Sequence, residues 1–207
     1  MSRHVQEGML SGRPFGGVAI LIKNNLRKVV KTVHCDNRYV IVRVASWLFI
    51  NVYLPCAGSP NRLLTCEDIM NDIWSWCEQL RHCHILLAGD FNAVLDNDAD
   101  IFSRVICDFA NRHSLYRCDN LFPNEKRSTY VNYALKQESQ IDYILCSKPD
   151  SITNYAVLDP DINFSDHLPL YAKISCTLLS QMTDVNVHDN DHDDPIVKHF
   201  RWYHGEW

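Results

Sequence analysis

The 207-residue sequence lacks the features of a membrane protein, a secreted protein or a disulfide-rich protein. No apolar run reaches the roughly 20 residues that a transmembrane helix needs. The N-terminus has no apolar segment followed by a cleavage site, which argues against secretion. The nine cysteines include no CxxC pair, which predicts free thiols in a reducing compartment and argues against a zinc site. We therefore expect a cytoplasmic or nuclear protein that is not secreted.

The sequence also lacks an excess of positive charge. Its 20 Lys and Arg residues face 25 Asp and Glu residues, giving a formal net charge of −5. This charge supplies no global attraction to nucleic acid and argues against a passive, tight DNA-binding protein. It argues less against an enzyme whose bound cations offset phosphate charge. The 46% hydrophobic and 22% charged residues are typical of a soluble globular domain.

The apolar pattern predicts a mixed α/β domain. Two stretches have helical periodicity, residues 62–82 and about 100–113. Their predicted apolar stripes are Leu64, Ile69, Ile73, Trp76 and Leu80 in the first, and Ile101, Val105, Phe109 and Ala110 in the second. Strands are predicted at 16–24, 26–33, 38–44, 46–55, 83–91, 128–133, 140–145, 151–158 and 168–176. Neighbouring strands before residue 54 favour antiparallel pairing.

Many strands with a few helices between them indicate two packed sheets with helices outside. We expect this domain to span 13–178, after a disordered or loop N-terminus at 1–12. Residues 179–207 form an acidic and aromatic tail without periodicity, which is typical of a linker.

Polar side chains stand where several predicted strands run into loops, the usual position of catalytic groups. They are Tyr53, Asp90 with Asn92, Asp142, and the cluster Ser165, Asp166 and His167. Each also has a structural explanation. Asp90 and Asn92 can cap a turn, Asp142 can accept a backbone hydrogen bond, and a lone histidine is more often structural.

Taken together, these residues are suited to metal-assisted phosphodiester hydrolysis. A carboxylate can orient or deprotonate the attacking water. A carboxamide and a phenol can donate to phosphate oxygens as charge builds there. An Asp bonded to one imidazole nitrogen raises the pKa of the histidine, so that the other nitrogen can contact the phosphate.

The segments GDFNAVLD, NVYLP, IDYIL and SDHLPL resemble the endonuclease/exonuclease/phosphatase superfamily. The stretches GRPFGGVAILIKN, RYVIVRV and WLFINVYLP look most like the endonuclease domain of non-LTR (LINE-type) retrotransposons, over roughly residues 12 to 177. The resemblance implies an α/β (α+β) four-layered sandwich of two mainly antiparallel sheets with flanking helices, a Mg²⁺ or Mn²⁺ cofactor and a DNA substrate. The tail, with Arg201-Trp202, resembles the linker to a downstream reverse transcriptase domain.

The resemblance also implies a role for each matching residue. Asp90 would orient water, Asn92 would donate to the transition state, and Tyr53 would contact the phosphate. Asp142 would pair with His167, and Asp166 would stand near the metal. Ser128 or Thr129 would touch DNA, and Ser165 would contact a phosphate.

The family pattern begins with a strand ending in Asn and a second strand carrying a metal-binding Glu. No segment of suitable length precedes Gly16, and Gln6-Glu7 has no strand pattern around it. We therefore expect an N-terminally truncated domain with its first strands missing, reduced metal affinity and an uncovered sheet edge. The alternatives are a phosphatase or small-molecule phosphodiesterase on the same scaffold, and a non-catalytic remnant that binds DNA or a partner.

Overall fold

The computed structural model describes residues 17–122 and 126–175. The predictions for 1–12, for Gln6-Glu7 and for most of the tail, including Arg201-Trp202, lie outside these described residues. Two α-helices are present, α1 (Arg62–Gln79) and α2 (Ile101–Arg112). The strands are β1 (Val30–Cys35), β2 (Tyr39–Val44), β3 (Trp47–Tyr53), β4 (His84–Asp90), β5 (Tyr116–Arg117), β6 (Tyr130–Asn132), β7 (Gln137–Ser139), β8 (Asp142–Cys146), β9 (Ile152–Val157) and β10 (Leu170–Ile174). No helix in the described ranges has the length and apolar character to cross a membrane.

Six strands form the main sheet, in the order β1-β2-β3-β4-β8-β5. Strands β3 and β4 are parallel, and the other neighbours are antiparallel. A parallel pair needs a crossover connection, which α1 provides between β3 and β4. Strands β9 and β10 form a separate antiparallel pair, and β6 and β7 form a short hairpin. The predicted mixed α/β class with mainly antiparallel sheets is confirmed.

Alternation along the central strands divides the sheet into two faces. Leu48, Ile50 and Val52 of β3 belong to the apolar core together with residues of both helices. Because successive side chains of a strand point to opposite faces, Asn51 and Tyr53 lie on the other face. On that second face, a cleft separates Asn51, Ala88 and Ile144 from residues 168–170 at the start of β10. The polar strand ends therefore open away from the helices.

The predicted apolar stripe of α1 is partly wrong. Leu64 is 58% exposed, whereas the buried residues of the helix are Cys66, Ile69, Met70, Ile73 and Cys77. With about 3.6 residues per turn, a residue two positions before Cys66 lies more than half a turn away from the buried face. Ile101 of α2 is likewise exposed, because the buried face of that helix begins at Phe102.

The strand predicted at 16–24 is also wrong within the described residues. Residues 17–23 have no regular secondary structure, and Asn24–Val29 form a 3-10 helix, so β1 starts later than predicted. A strand needs a neighbour for its backbone hydrogen bonds. Here Gly17 N donates to Asn37 O, and the Ala19 carbonyl accepts from the Asn51 side chain, without a strand ladder. Apolar residues in this segment, such as Leu21, are exposed.

Candidate active site

Strand register brings three of the predicted site residues into one row. Asp90, the last residue of β4, lies opposite Tyr53 on β3 and opposite Asp142 on β8. Directly paired residues of adjacent strands point to the same face of a sheet. The three side chains therefore share the face that opens away from the helices, although they are separated widely in sequence.

His167 joins this row from the loop that precedes β10. Its Nδ1 lies 2.9 Å from Asp142 Oδ2, and its ring centroid is 5.1 Å from that of Tyr130. An isolated bridge between Tyr130 and His167 fixes the backbone of the loop. The carboxylate selects the tautomer protonated at Nδ1 and leaves Nε2 as the second ring nitrogen for contact with a substrate.

Thr129 supports this pair from within the protein. Its Oγ1 accepts hydrogen bonds from the backbone N–H groups of Ile141 (3.1 Å) and Asp142 (3.0 Å). Its carbonyl accepts from Leu168 N at 2.7 Å. The residue is 0% exposed, so the prediction that Thr129 touches DNA is wrong. The hydroxyl instead positions the start of β8, which carries Asp142.

We expect replacement of Thr129 by valine to lower the free energy of unfolding by about 2–3 kcal/mol, because two backbone N–H groups lose their acceptor. Thr129→Ser keeps the hydroxyl and is expected to lose about 1 kcal/mol, for the missing methyl group. Urea denaturation of the three proteins measures the difference. Equal stability of the valine and wild-type proteins would show that these hydrogen bonds contribute nothing.

Asp90 and Asn92 form a turn as well as a polar pair. Asp90 Oδ1 accepts from Asn92 N at 2.8 Å, and Asp90 Oδ2 accepts from Asn92 Nδ2 at 3.1 Å. Asn92 has a φ of 51°, which asparagine tolerates better than most residues. Its amide also donates to the carbonyl of Leu54 at 2.9 Å. Both interpretations of the motif therefore apply: Asp90 caps the turn and its carboxylate also lies at the site.

Arg62 is a supporting residue that the sequence did not reveal. Its guanidinium donates to the carbonyls of Asn92 and Pro55 and lies 3.6 Å from the Phe102 ring centroid. It thereby ties the loop after β3 to the loop after β4. No local pattern could have identified it, because its partner Asn92 is 30 residues away.

The site has perturbed protonation equilibria. Burial raises the pKa of Asp90 to about 6, and the neighbouring charge of Asp142 adds to this shift. The hydrogen bond to Asp142 raises the pKa of His167, and the charges of Asp142, Asp90 and Asp166 act in the same direction. A carboxylate with a pKa near neutrality beside a protonatable imidazole is suited to acid–base chemistry.

The other predicted residues lie around this centre. The ring of Tyr53 lies 5.3 Å from the Arg38 guanidinium. Ser165 Oγ accepts from His167 N at 3.0 Å, so Ser165 shapes the loop. Ser128 donates to Glu138 across the β6–β7 hairpin and is partly exposed. Asp166 adjoins His167, and its backbone carbonyl accepts from Val131 N at 2.8 Å. Whether Ser128 and Ser165 contact DNA stays a prediction.

Asp90, Asp142 and His167 each offer a ligand atom within 4.8 Å of the others, so they could hold a metal ion. Oxygen ligands suit Mg²⁺ and Mn²⁺, and the two carboxylates fit such an ion better than the imidazole does. This group does not include Asp166, the residue that the sequence placed at the metal. The metal contact of Asp166 therefore remains a prediction.

Comparison with known proteins decides the family. Residues 7–167 match the model of the endonuclease/exonuclease/phosphatase family. The chain belongs to this family. Its members are metal-dependent hydrolases of phosphate esters, in agreement with the row of carboxylates and the histidine. No curated protein sequence gives a significant match.

Two solved structures show the same fold as this family member. The 3′ phosphatase NExo from Neisseria, bound to a product DNA hairpin, is 20% identical, with a TM-score of 0.54. The match covers 71% of this chain and 70% of that one. An AP endonuclease from Archaeoglobus fulgidus is 16% identical, with a TM-score of 0.54 and coverages of 68% and 66%. At these identities the likeness extends to the fold, and the substrate has to be argued from the site.

Proposed function

We propose that this chain is a divalent-metal-dependent phosphodiester hydrolase that nicks DNA. The observation that carries the proposal is the placement of the Asp142–His167 pair directly opposite Asp90. This arrangement combines a carboxylate whose pKa is near neutrality with an imidazole oriented by a second carboxylate. Membership in the endonuclease/exonuclease/phosphatase family supports it.

The residues of the chain divide the work as follows. Asp90 orients the attacking water and accepts its proton. His167, held by Asp142, presents Nε2 to a phosphate oxygen and stabilises the charge that develops there. Tyr53 contacts the phosphate from the neighbouring strand. Asn92 can act as a donor only after its amide leaves the carbonyl of Leu54 or the carboxylate of Asp90.

Asp90 and Asp142, with Asp166 nearby, would hold the cation, either Mg²⁺ or Mn²⁺. When bound, the cation would polarise the phosphoryl oxygen and offset the negative charge of the site. The protein's net charge of −5 gives this offset particular weight, since the substrate is also anionic.

The proposal extends to a LINE-type retrotransposon endonuclease, with a reverse transcriptase domain downstream in the full element. Its support is the sequence resemblance of residues 12–177 and of the aromatic tail. The same scaffold could instead act as a phosphatase, and one structurally similar protein is a 3′ phosphatase. Hydrolysis of a 3′-phosphorylated oligonucleotide without plasmid nicking would favour that second function.

The test is nicking of supercoiled plasmid with Mg²⁺ or with EDTA. We expect Mg²⁺-dependent nicking that falls by at least about 100-fold in His167→Ala, the loss typical of an acid–base group. His82→Ala is the matched control, because His82 is exposed and lies on the loop before β4. Nicking by a folded His167→Ala protein at the wild-type rate would refute the assigned role. Absence of nicking and of phosphatase activity in folded wild type would favour a non-catalytic remnant.

A further inference from the structure

Two exposed aromatic side chains flank the candidate active site. Phe164, three residues before His167, is 100% exposed, and Tyr133, after β6, is 69% exposed. Both line an open cleft of about 440 Å³ together with Asn163, Ser165 and Asp166. We call this feature the aromatic cleft. Its volume lies within the range of small-ligand sites.

The backbone of the loop is held in place by its own polar side chains. Asn163 Oδ1 accepts from Ser165 N at 3.1 Å, and Asn163 Nδ2 donates to the carbonyl of His167 at 2.9 Å. Ser165 Oγ accepts from His167 N. These bonds connect the position of Phe164 to that of His167. The loop that orients the catalytic imidazole therefore also fixes where the phenyl ring enters solvent.

The chemistry of the cleft excludes one ligand and favours another. None of its lining residues is basic, and Asp166 would repel a phosphate group. Aromatic side chains, by contrast, stack on nucleobases of any sequence. Polar side chains in the same cleft can hydrogen-bond the edge of a base. A base next to the scissile phosphate would reach the cleft, since the cleft and His167 share one short loop.

We propose that the aromatic cleft binds an unstacked nucleobase of the DNA strand beside the scissile phosphate, with Phe164 as the main stacking surface. The inference rests on the proposed function, because it assumes that the substrate is DNA. It adds a substrate class: the enzyme prefers sites where a base next to the cleavage position is unpaired or readily unpaired. Fully paired, rigid duplex lacks a free base face and gains nothing from the cleft.

The experiment measures binding without turnover, in EDTA. Oligonucleotides carry 2-aminopurine either as an unpaired bulge or within a fully paired duplex of the same flanking sequence. We expect the full-length wild-type chain to quench the bulged probe and to bind it more tightly than the duplex. In Phe164→Ala, affinity for the bulge falls by about 10-fold, as expected for the loss of one stacked base, while affinity for the duplex changes less than 2-fold.

Two further variants separate stacking from general effects. Phe164→Tyr keeps a ring and should retain the quenching. Ile162→Ala removes another exposed apolar side chain of the same loop and should change neither affinity. The proposal is overturned if wild type fails to quench the bulged probe, or if Phe164→Ala weakens both probes equally or neither. If Phe164 instead docks a protein, the variant will bind both probes as wild type does.

Failure of this inference can be distinguished from failure of the proposed function. Quenching that depends on Phe164, in a chain without nicking activity, would preserve the base-binding cleft and refute the nuclease proposal. Mg²⁺-dependent nicking with no effect of Phe164→Ala on either probe would preserve the nuclease and refute the cleft. Phe164 is fully exposed, so its substitution is not expected to disturb folding, and circular dichroism of the variant checks this.

Discussion

Gly89→Ala is expected to abolish the folded state under conditions where the wild-type chain is folded. Gly89 has a φ of +142°, and a Cβ atom added to it would lie 1.9 Å from the carbonyl oxygen of Val52. Val52 is the partner of Gly89 in the β3–β4 ladder, so the clash cannot be relieved without separating the two central strands. We expect a loss of more than about 4 kcal/mol, a magnitude that few single substitutions reach.

Gly58→Ala is the matched control for this substitution. Gly58 also has a positive φ, +85°, but a Cβ atom there would meet nothing within 4 Å. Its replacement should cost only the backbone strain, about 1 kcal/mol. Urea titration monitored by far-ultraviolet circular dichroism compares the two variants. A Gly89→Ala protein as stable as Gly58→Ala would show that the β3–β4 register is described incorrectly.

Asp90→Asn is expected to lower nicking by at least about 100-fold and yet to stabilise the protein at neutral pH. The loss of activity follows from the loss of the group that accepts the proton from water. The gain in stability follows from the raised pKa, about 6 in the folded chain against 3.8 for a model carboxyl group. This difference corresponds to about 3 kcal/mol of unfavourable interaction when Asp90 is ionised. One hydrogen bond from Asn92 Nδ2 is lost, which leaves a net gain of about 2 kcal/mol.

The gain has a defined pH dependence. Because the folded-state pKa is raised, ionisation of Asp90 reduces stability as the pH rises from about 3.8 to about 6. The asparagine variant lacks this titration. Its advantage over wild type should therefore be complete above about pH 6 and absent near pH 3.8. Denaturation in EDTA at several pH values tests this, and an advantage that does not depend on pH would refute the explanation.

Much of the fold was predictable from periodicity. Strands β2, β3 and β4 and both helices lie close to their predicted positions, because burial on one or both faces produces a regular apolar pattern. The segment 17–23 has the same apolar character but forms no strand in the structure. Apolar composition predicts that a segment can pair, whereas strand formation also requires a neighbour with free backbone groups.

The site was predictable in its residue types and less so in its supporting contacts. Asp90, Asp142 and His167 stand at strand ends in recognisable motifs, and the structure brings them together. Thr129 was assigned to DNA contact because of its place before β8. Its burial and its two accepted hydrogen bonds come from strand pairing that no local pattern encodes.

The sequence by itself determined the family, the mixed α/β class and the chemistry of the polar strand ends. These depend on residue type and on spacing along the chain, which are local properties. Only the tertiary structure decided that Asp90 faces Asp142, that Arg62 holds the Asn92 turn, and that Phe164 enters solvent beside His167. Register and packing join residues that are far apart in sequence, and the free energy that selects them belongs to the whole sheet.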